Sequence, residues 1–348
     1  MQRNREARLQ GLTPKLLAWF DRNARALPWR TVPGVRRDPY RVWLAEIMLQ
    51  QTTVPHAAPY FEAFTRRWPD VEALAAAKDD DVMQAWAGLG YYARARNLLK
   101  CAREVAGLGG FPETEDGLRA LSGIGPYTAG AIAAIAFGQP AAAVDGNVER
   151  VFARLLALKG DWRAEKKKIA SVVKTLVPAD RPGDFAEALM DLGATVCTPK
   201  SPDCRICPLA EECLARREGM AGRYPIKSAK ADKPVRHGIA YVLCRGEAVW
   251  LVRRPPSGLL GGMLALPGPE WGETIPSGPA PLAEDWAEAG EVRHVFTHFT
   301  LRLKVMTAQT TRAKLPEGHW AGQDELAGLP TVFAKAAALA GLSVRRTR

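Results

Sequence analysis

"LSGIGPYTAGAIAAIAFG", Leu121 to Gly138, is the stretch on which the fold turns. Gly123 and Gly125 supply the backbone freedom of a tight turn, Pro126 suits the first turn of a helix, and Tyr127 to Phe137 then continues helically. A glycine-rich turn feeding a helix N-terminus aims amides outward, which suits a phosphate, and its exposed carbonyls can hold a cation beside that phosphate. An ordinary helix-turn-helix packing element reads the same way locally, and this stretch alone does not separate the two. The charge of the whole chain does tilt the balance. Across 348 residues, 48 Lys and Arg stand against 37 Asp and Glu, a formal net charge of +11 that points to a polyanionic partner. Nucleic acid is the expectation, and a basic surface kept for solubility is the alternative.

Working outward, residues up to about 215 follow helical periods, whereas from about 237 the chain alternates like strands in "GIAYVLC", "AVWLVRR" and "FTLRLKVM". Between them "GMAGRYPIKSAKADKPVR" is rich in Gly, Pro and Lys and has no hydrophobic period, so it reads as a linker. The division predicted is a helical domain over 1–219, a linker over 220–236 and a strand-bearing domain over 237–348. With 47% hydrophobic and 24% charged residues, the chain can bury sizeable cores and does not resemble a disordered protein. The only long apolar stretch, Ala129 to Phe137, is too short to span a bilayer, and "MQRNREARLQ" lacks the apolar centre of a secretory signal. A soluble, intracellular protein without a membrane partner is expected. "WGETIPSGPAPLAEDW" reads as a Pro and Gly loop and carries no recognisable chemistry.

"CTPKSPDCRICPLAEEC" places Cys197, Cys204, Cys207 and Cys213 within seventeen residues of a chain holding six cysteines. In a reducing compartment a disulfide framework is improbable, and clustered cysteines point to metal. Cys101 and Cys244 stand apart and read as packed thiols.

Two carboxylates draw attention for a different reason. In "DPYRVWLAEIMLQQ", Tyr40, Trp43, Leu44 and Ile47 form a helical apolar stripe with Glu46 on its flank. Desolvation raises a carboxyl's pKa, which is what a general acid near neutral pH needs; the plain alternative is a solvated glutamate. In "AAAVDGNVERVFARLLAL", Asp145 opens a helix, and its plain role is an N-cap. Cleaving a glycosidic bond calls for such a pair, one carboxyl protonated and one ionised.

The runs "AEIMLQQTTV", "LSGIGPYTAGAI", "VDGNVERVFAR" and "ALMDLGATVCTPKSPDCRICPLAEEC", in this order across roughly residues 25 to 213, resemble the MutY family of adenine DNA glycosylases within the endonuclease III superfamily. The resemblance implies an all-helical helix-hairpin-helix glycosylase domain with an Fe-S cluster loop, followed by a Nudix-like α+β domain. It implies excision of adenine opposite 8-oxoguanine or guanine in duplex DNA by a monomer, cytoplasmic in a bacterium and associated with the nucleoid through DNA.

Residue by residue, Glu46 matches the general acid and Asp145 the carboxylate facing the sugar cation, with Tyr127 and Asn147 in the same catalytic set. The Cys-x6-Cys-x2-Cys-x5-Cys spacing is similar to the superfamily's 4Fe-4S loop, whereas a zinc ribbon more often shows two short Cys-x2-Cys pairs. Lys200 and Arg205 within that loop are placed to meet phosphates. Arg25, Leu27, Trp29 and Glu187 match adenine-pocket positions. Because duplex bases are inaccessible, adenine must be flipped out, and Gln51 and Tyr91 resemble residues that fill or wedge the stack beside the hairpin glycines Gly123 and Gly125. Endonuclease III carries a lysine where this chain has Tyr127. Without that amine no Schiff base forms there, and a monofunctional glycosylase is expected.

"VWLVRRPPSGLLGGMLALPG" resembles the opening of a Nudix fold, but the acidic metal-binding helix of the pyrophosphatases does not follow it. In "RHVFTHFTLRLKV", Phe296, Thr297 and His298 match the family's loop for recognising oxidised guanine, with Thr297 where Ser is usual. The alternatives are an endonuclease III-like glycosylase for other mispaired or oxidised bases and a non-catalytic Fe-S DNA-binding protein. The second would leave Glu46 and Asp145 unexplained.

Overall fold

The computed structural model describes residues 9, 11–32, 35, 37–226, 232–255, 258–312, 315 and 317–344. The start "MQRNREARLQ", apart from Leu9, and the middle of the expected linker, 227–231, lie outside them. The chain divides into two compact units, Met1–Ala229 and Lys230–Arg348. No helix among the described residues is long and apolar enough to cross a membrane.

The first unit is helical: α1 (Leu12–Asn23), α2 (Pro39–Leu49), α3 (Val54–Arg67), α4 (Val71–Ala75), α5 (Asp79–Ala85), α6 (Ala93–Leu108), α7 (Glu115–Arg119), α8 (Pro126–Phe137), α9 (Gly146–Leu155), α10 (Trp162–Leu176), α11 (Pro182–Asp191) and α12 (Leu214–Arg217). Short polar residues start several of them. Asp38 accepts from the Tyr40 amide before α2, Asp145 from Val148 before α9, and Asp161 from Arg163 before α10. Pro39, Pro126 and Pro182 occupy first turns, where a missing N–H is harmless.

α8 is buried from Thr128 to Ala136, apolar on every side as a central helix must be. Its small side chains let neighbours approach closely. A Cβ on Gly130 would lie 2.5 Å from the Ala142 carbonyl, and one on Gly183 of α11 would lie 2.8 Å from the Ala134 carbonyl. α2, α7 and α11 pack directly on α8. One apolar core gathers α2 to α8, and a second gathers α1, α9, α10 and the cysteine loop; α11, buried along its whole length, contributes to both. The helical packing reaches beyond residue 219. Tyr224 is buried, its carbonyl accepts from Arg154 Nε at 3.1 Å, and the Ile226 carbonyl accepts from the Trp162 amide at 3.1 Å.

The second unit is a mixed sheet of β1 (Val235–Arg245), β2 (Ala248–Arg253), β3 (Leu264–Ala265), β4 (Ala287–Val295), β5 (Thr300–Gln309) and β6 (His319–Ala321), ordered β3-β2-β1-β5-β4 with β6 also on β2. β1 and β5 run parallel, with Ala240 opposite Val305; β4 and β5 form an antiparallel hairpin with Val292 opposite Leu303. Alternation along β5 buries Leu301, Leu303 and Val305, which pack with α14 (Thr331–Leu339); a short α13 (Gln323–Ala327) precedes it.

Candidate active site

Glu46 leaves α2 into a recess lined also by Arg25, Leu27, Trp29, Arg30, Glu187 and Met190. It is only 8% exposed. Burial pushes its carboxyl from the ordinary 4.5 up to about 7; a hydrogen bond from Tyr127 pulls it back, while the charges of Asp145 and Glu187 add to the rise. The Tyr127 hydroxyl, from the first turn of α8, donates to Glu46 Oε2 at 2.7 Å. Burial and the carboxylates around it hold that phenol well above its ordinary 10, so it serves as a donor and not as a base.

Asp145 sits at the N-terminus of α9, where Oδ1 accepts from the Val148 amide at 2.8 Å and Oδ2 from Asn147 Nδ2 at 2.7 Å. Its capping role is thus real, and its charge also reaches Glu46 and Tyr127. Asn147 is itself held. Arg150 Nη2 donates to Asn147 Oδ1 at 2.9 Å and to the Gly193 carbonyl at 2.7 Å, while Arg150 Nε reaches the Cys197 carbonyl at 2.9 Å. Gly193 leaves no room for a side chain there, since a Cβ would come within 2.5 Å of Asn147 Cβ.

The wall of the recess is a network of ion pairs. Arg25 Nε and Arg30 Nη1 each donate to Asp191 at 2.6 Å, and Arg37 Nη2 donates to Glu187 at 2.6 Å and to Asp184 at 2.7 Å. Burial nevertheless leaves the Glu187 carboxyl above its ordinary value, the neighbouring guanidiniums opposing the rise. Arg25, Leu27, Trp29 and Glu187 therefore share one recess with Glu46, and Trp29 packs edge-on against Phe61 at 5.4 Å.

Around the hairpin the sites are more exposed. Gly123 has φ +78°, and a Cβ there would lie 2.8 Å from Asn97 Cβ, so glycine is required. Gly125 departs from the expectation. With φ −89° and ψ 176° it lies in extended backbone that any residue adopts, and a Cβ there would meet nothing within 4 Å. What glycine leaves there is open space at the N-terminus of α8. Gln51 and Tyr91 are exposed, and both adopt left-handed backbone, with φ 60° and 49°. Tyr91 is 53% exposed, which removes it from the core.

Cys197, Cys204, Cys207 and Cys213 line one recess with Arg154 and Pro202. Burial first, and then the charge of the other three thiolates, pushes the Cys207 thiol up to about 12. A cationic metal group relieves both penalties. Arg154, buried, donates to Cys197 Sγ at 3.1 Å and to the Thr198 and Pro199 carbonyls, so a positive charge stands beside the thiolates. The residues fit a four-cysteine cluster. Lys200 and Arg205 are exposed on this loop, Arg205 being engaged with Asp203 at 2.9 Å. Cys101 and Cys244 are buried thiols.

In the second unit, Phe296, Thr297, His298 and Phe299 make the turn between β4 and β5, closed by the Phe296 amide to the Phe299 carbonyl at 2.9 Å. Thr297 and His298 are exposed at its tip. Phe296 is half-buried, its ring tilted against Phe299 at 4.8 Å and Trp271 at 5.7 Å and edge-on to His294 at 4.6 Å. No helix lies between Leu266 and Trp286.

Comparison with known proteins places this geometry. Residues 44–179 match the HhH-GPD superfamily of base excision DNA repair proteins, and 238–339 match the NUDIX domain. The human adenine DNA glycosylase is 35% identical over an alignment covering 89% of this chain and 70% of that protein. This chain belongs to the adenine DNA glycosylase family. Another member, the adenine DNA glycosylase of Mycolicibacterium smegmatis, is 40% identical over 66% of this chain and 79% of its own. The helical unit resembles a thermostable thymine-DNA glycosylase (TM-score 0.54, 28% identity, 61% of this chain and 98% of that one). A non-covalent endonuclease III-DNA complex shares the fold (TM-score 0.52, 23% identity, 62% and 98%).

Adenine DNA glycosylase family membership makes the chain an enzyme, a base-excision repair glycosylase that removes adenine. Reading the sequence missed Arg30, Arg37 and Asp191, which with Glu187 build the recess wall. A signal was present. Asp184, Glu187 and Asp191 recur at helical spacing in the otherwise apolar run "PGDFAEALMDLGA", so three acids had to face partners inside the fold.

Proposed function

We propose that this glycosylase hydrolyses the N-glycosidic bond of adenine mispaired with 8-oxoguanine or guanine in duplex DNA, with Glu46 as general acid and Asp145 as the carboxylate facing the sugar. The observation that carries this reading is a buried carboxyl held at about 7 in a recess, hydrogen-bonded by Tyr127 and within reach of the charge of Asp145. Protonated Glu46 gives its proton to a ring nitrogen of the flipped adenine. The C1′–N9 bond then breaks, its electron pair leaving with the base, and an oxocarbenium ion remains on the sugar. Asp145, locked by Asn147 and the Val148 amide, stabilises or captures that cation. Water then supplies the hydroxyl group at C1′, and its proton returns to Glu46.

Leu27, Trp29, Arg25 and Glu187 form the pocket for adenine, while Gln51, Tyr91 and the hairpin glycines Gly123 and Gly125 engage the opened duplex. Tyr127 offers no amine for a Schiff base, so the enzyme is monofunctional. Cys197, Cys204, Cys207 and Cys213 hold a 4Fe-4S cluster that, when bound, fixes the loop carrying Lys200 and Arg205 against the DNA backbone. Phe296, Thr297 and His298 read the oxidised guanine. Residues 1–219 carry the glycosylase chemistry and 237–348 the recognition, joined by 220–236, of which 220–226 pack on the helical unit, and the protein works as a monomer in the cytoplasm.

The deciding experiment is a single-turnover assay on duplexes holding A opposite 8-oxoguanine, A opposite G, and T opposite G. Excision of adenine from the first two, with no strand scission before alkali, is the expected result. Release of thymine alone would transfer the chain to the mismatch relatives.

A further inference from the structure

Arg94, in the first turn of α6, is a guanidinium that no carboxylate pairs with among the described residues. Its partners are four carbonyls. Nη1 donates to Ile47 and Met48 at 2.8 and 3.2 Å, and Nη2 to Leu89 and Gly90 at 3.1 and 3.3 Å. The group lies over the Trp86 ring at 5.2 Å and the Tyr91 ring at 5.7 Å, and its buried Nε has no hydrogen-bond partner. Burial pulls it down to about 10. Holding a half-buried cation without a counter-ion is unfavourable, so its retention at these four carbonyls calls for a reason.

The two carbonyl pairs are not arbitrary. One closes α2 just before Gln51, and the other immediately precedes Tyr91. Both residues are exposed, non-glycine and left-handed, a backbone state that persists only where the surroundings over-determine it. The planar fork of an arginine can grip both pairs at once, which a lysine point charge cannot. We propose that Arg94 is a positioning residue that bolts the Gln51 and Tyr91 loops at a fixed separation, so that opening of the DNA stack depends on it while bond cleavage at Glu46 does not. The proposal rests on the reading of Gln51 and Tyr91 as the residues that enter the stack.

The test uses the full chain with Arg94→Lys, which keeps the charge, and a duplex carrying 2-aminopurine beside an adenine opposite 8-oxoguanine. Binding by the parent should raise the fluorescence as the stack opens. Arg94→Lys should bind within a few-fold of the parent, lose most of the rise and cleave about tenfold or more slowly, matching an unmet unstacking cost. On adenine opposite an abasic analogue, which no partner base retains, the loss should shrink to a few-fold, and the pH profile should not move. The double variant Gln51→Ala/Tyr91→Ala should lose the rise by itself, and adding Arg94→Lys to it should change nothing further. A full fluorescence rise in Arg94→Lys, or equal losses on both substrates, overturns the role of Arg94 while leaving the wedge reading intact. A full rise in the double variant overturns both.

Discussion

The Tyr127 hydroxyl and Glu46 Oε2 meet at 2.7 Å, 81 residues apart in sequence, and oppose the burial that surrounds them. Desolvation drives the carboxyl up, and a donor aimed at it favours its charged form, so the two effects leave it at about 7. A carboxyl so placed still holds a proton near neutral pH, and the anion left after donation keeps a partner.

Single-turnover excision should therefore fall as pH rises through about 7, where Glu46 loses its proton. Tyr127→Phe removes the contact that lowers this pKa. The falling limb should then move to higher pH, even where the rate at the plateau declines. An unmoved limb in a folded Tyr127→Phe protein would detach the hydrogen bond from the acid.

Glu46→Gln should cost at least the ~10²–10⁴-fold typical of general acid catalysis, yet make the protein more stable in alkali. The folded-state pKa of Glu46 lies above its ordinary 4.5, so the stability linked to its protonation is present below about 4.5 and is lost as pH rises through about 7. Fully ionised, the buried group costs the folded state roughly 3 kcal/mol. Melting curves at pH 5 and pH 8 should show Glu46→Gln gaining on the parent at the higher pH, and an equal difference at both would contradict the burial.

Asp145 has two duties that variants can separate. Asp145→Asn should abolish most cleavage while melting changes little, because its amide oxygen can still accept from Val148, whereas Asp145→Ala should in addition cost about 1 kcal/mol through the lost cap. Asn147→Ala leaves that cap in place and removes the 2.7 Å contact to the other oxygen together with the 2.9 Å contact from Arg150, so it should slow excision with little change in melting. If its activity loss merely tracks unfolding, Asn147 has no part in orienting Asp145.

What could be read along the chain was local. Turn glycine, first-turn proline and N-cap aspartate act within a few residues, and so the hairpin before α8 and the cap of α9 stood out. Glu46 was seen beside an apolar stripe, but α2 is buried on nearly every side, because α8 is made of residues small enough to let it close in. That depends on two distant segments. The spacing of Asp184, Glu187 and Asp191 shows that these acids need partners, but that Arg37, 150 residues away, grips Glu187 is settled only by folding. Gly125 shows the opposite error, a turn glycine whose own backbone did not require it.

Purified without exposure to oxygen, the protein should carry about four irons per chain with broad visible absorption. Cys204→Ser should reduce iron content, and with it DNA affinity, more than it alters cleavage of DNA that is already bound. Stoichiometric zinc without iron would overturn the cluster.

The turn at Phe296 is expected to set which opposite base is preferred. Thr297 and His298 stand exposed at its tip, while Phe296 is braced by Phe299, His294 and Trp271, so the tip can present polar groups without rearranging. Oxidised guanine differs from guanine by few atoms, and each polar contact that senses the difference contributes about 0.5–1.5 kcal/mol. His298→Ala should therefore cut the preference for A opposite 8-oxoguanine over A opposite G by a few-fold, and Phe296→Ala should add to the loss by loosening the turn. Neither change touches Glu46 or Asp145, so excision opposite G should stay close to parental. Raising salt weakens phosphate contacts far more than base-reading ones, so the ratio between the two substrates should hold as both affinities fall. Should Phe296→Ala/His298→Ala keep the parental ratio at matched salt, this turn does not read the opposite base.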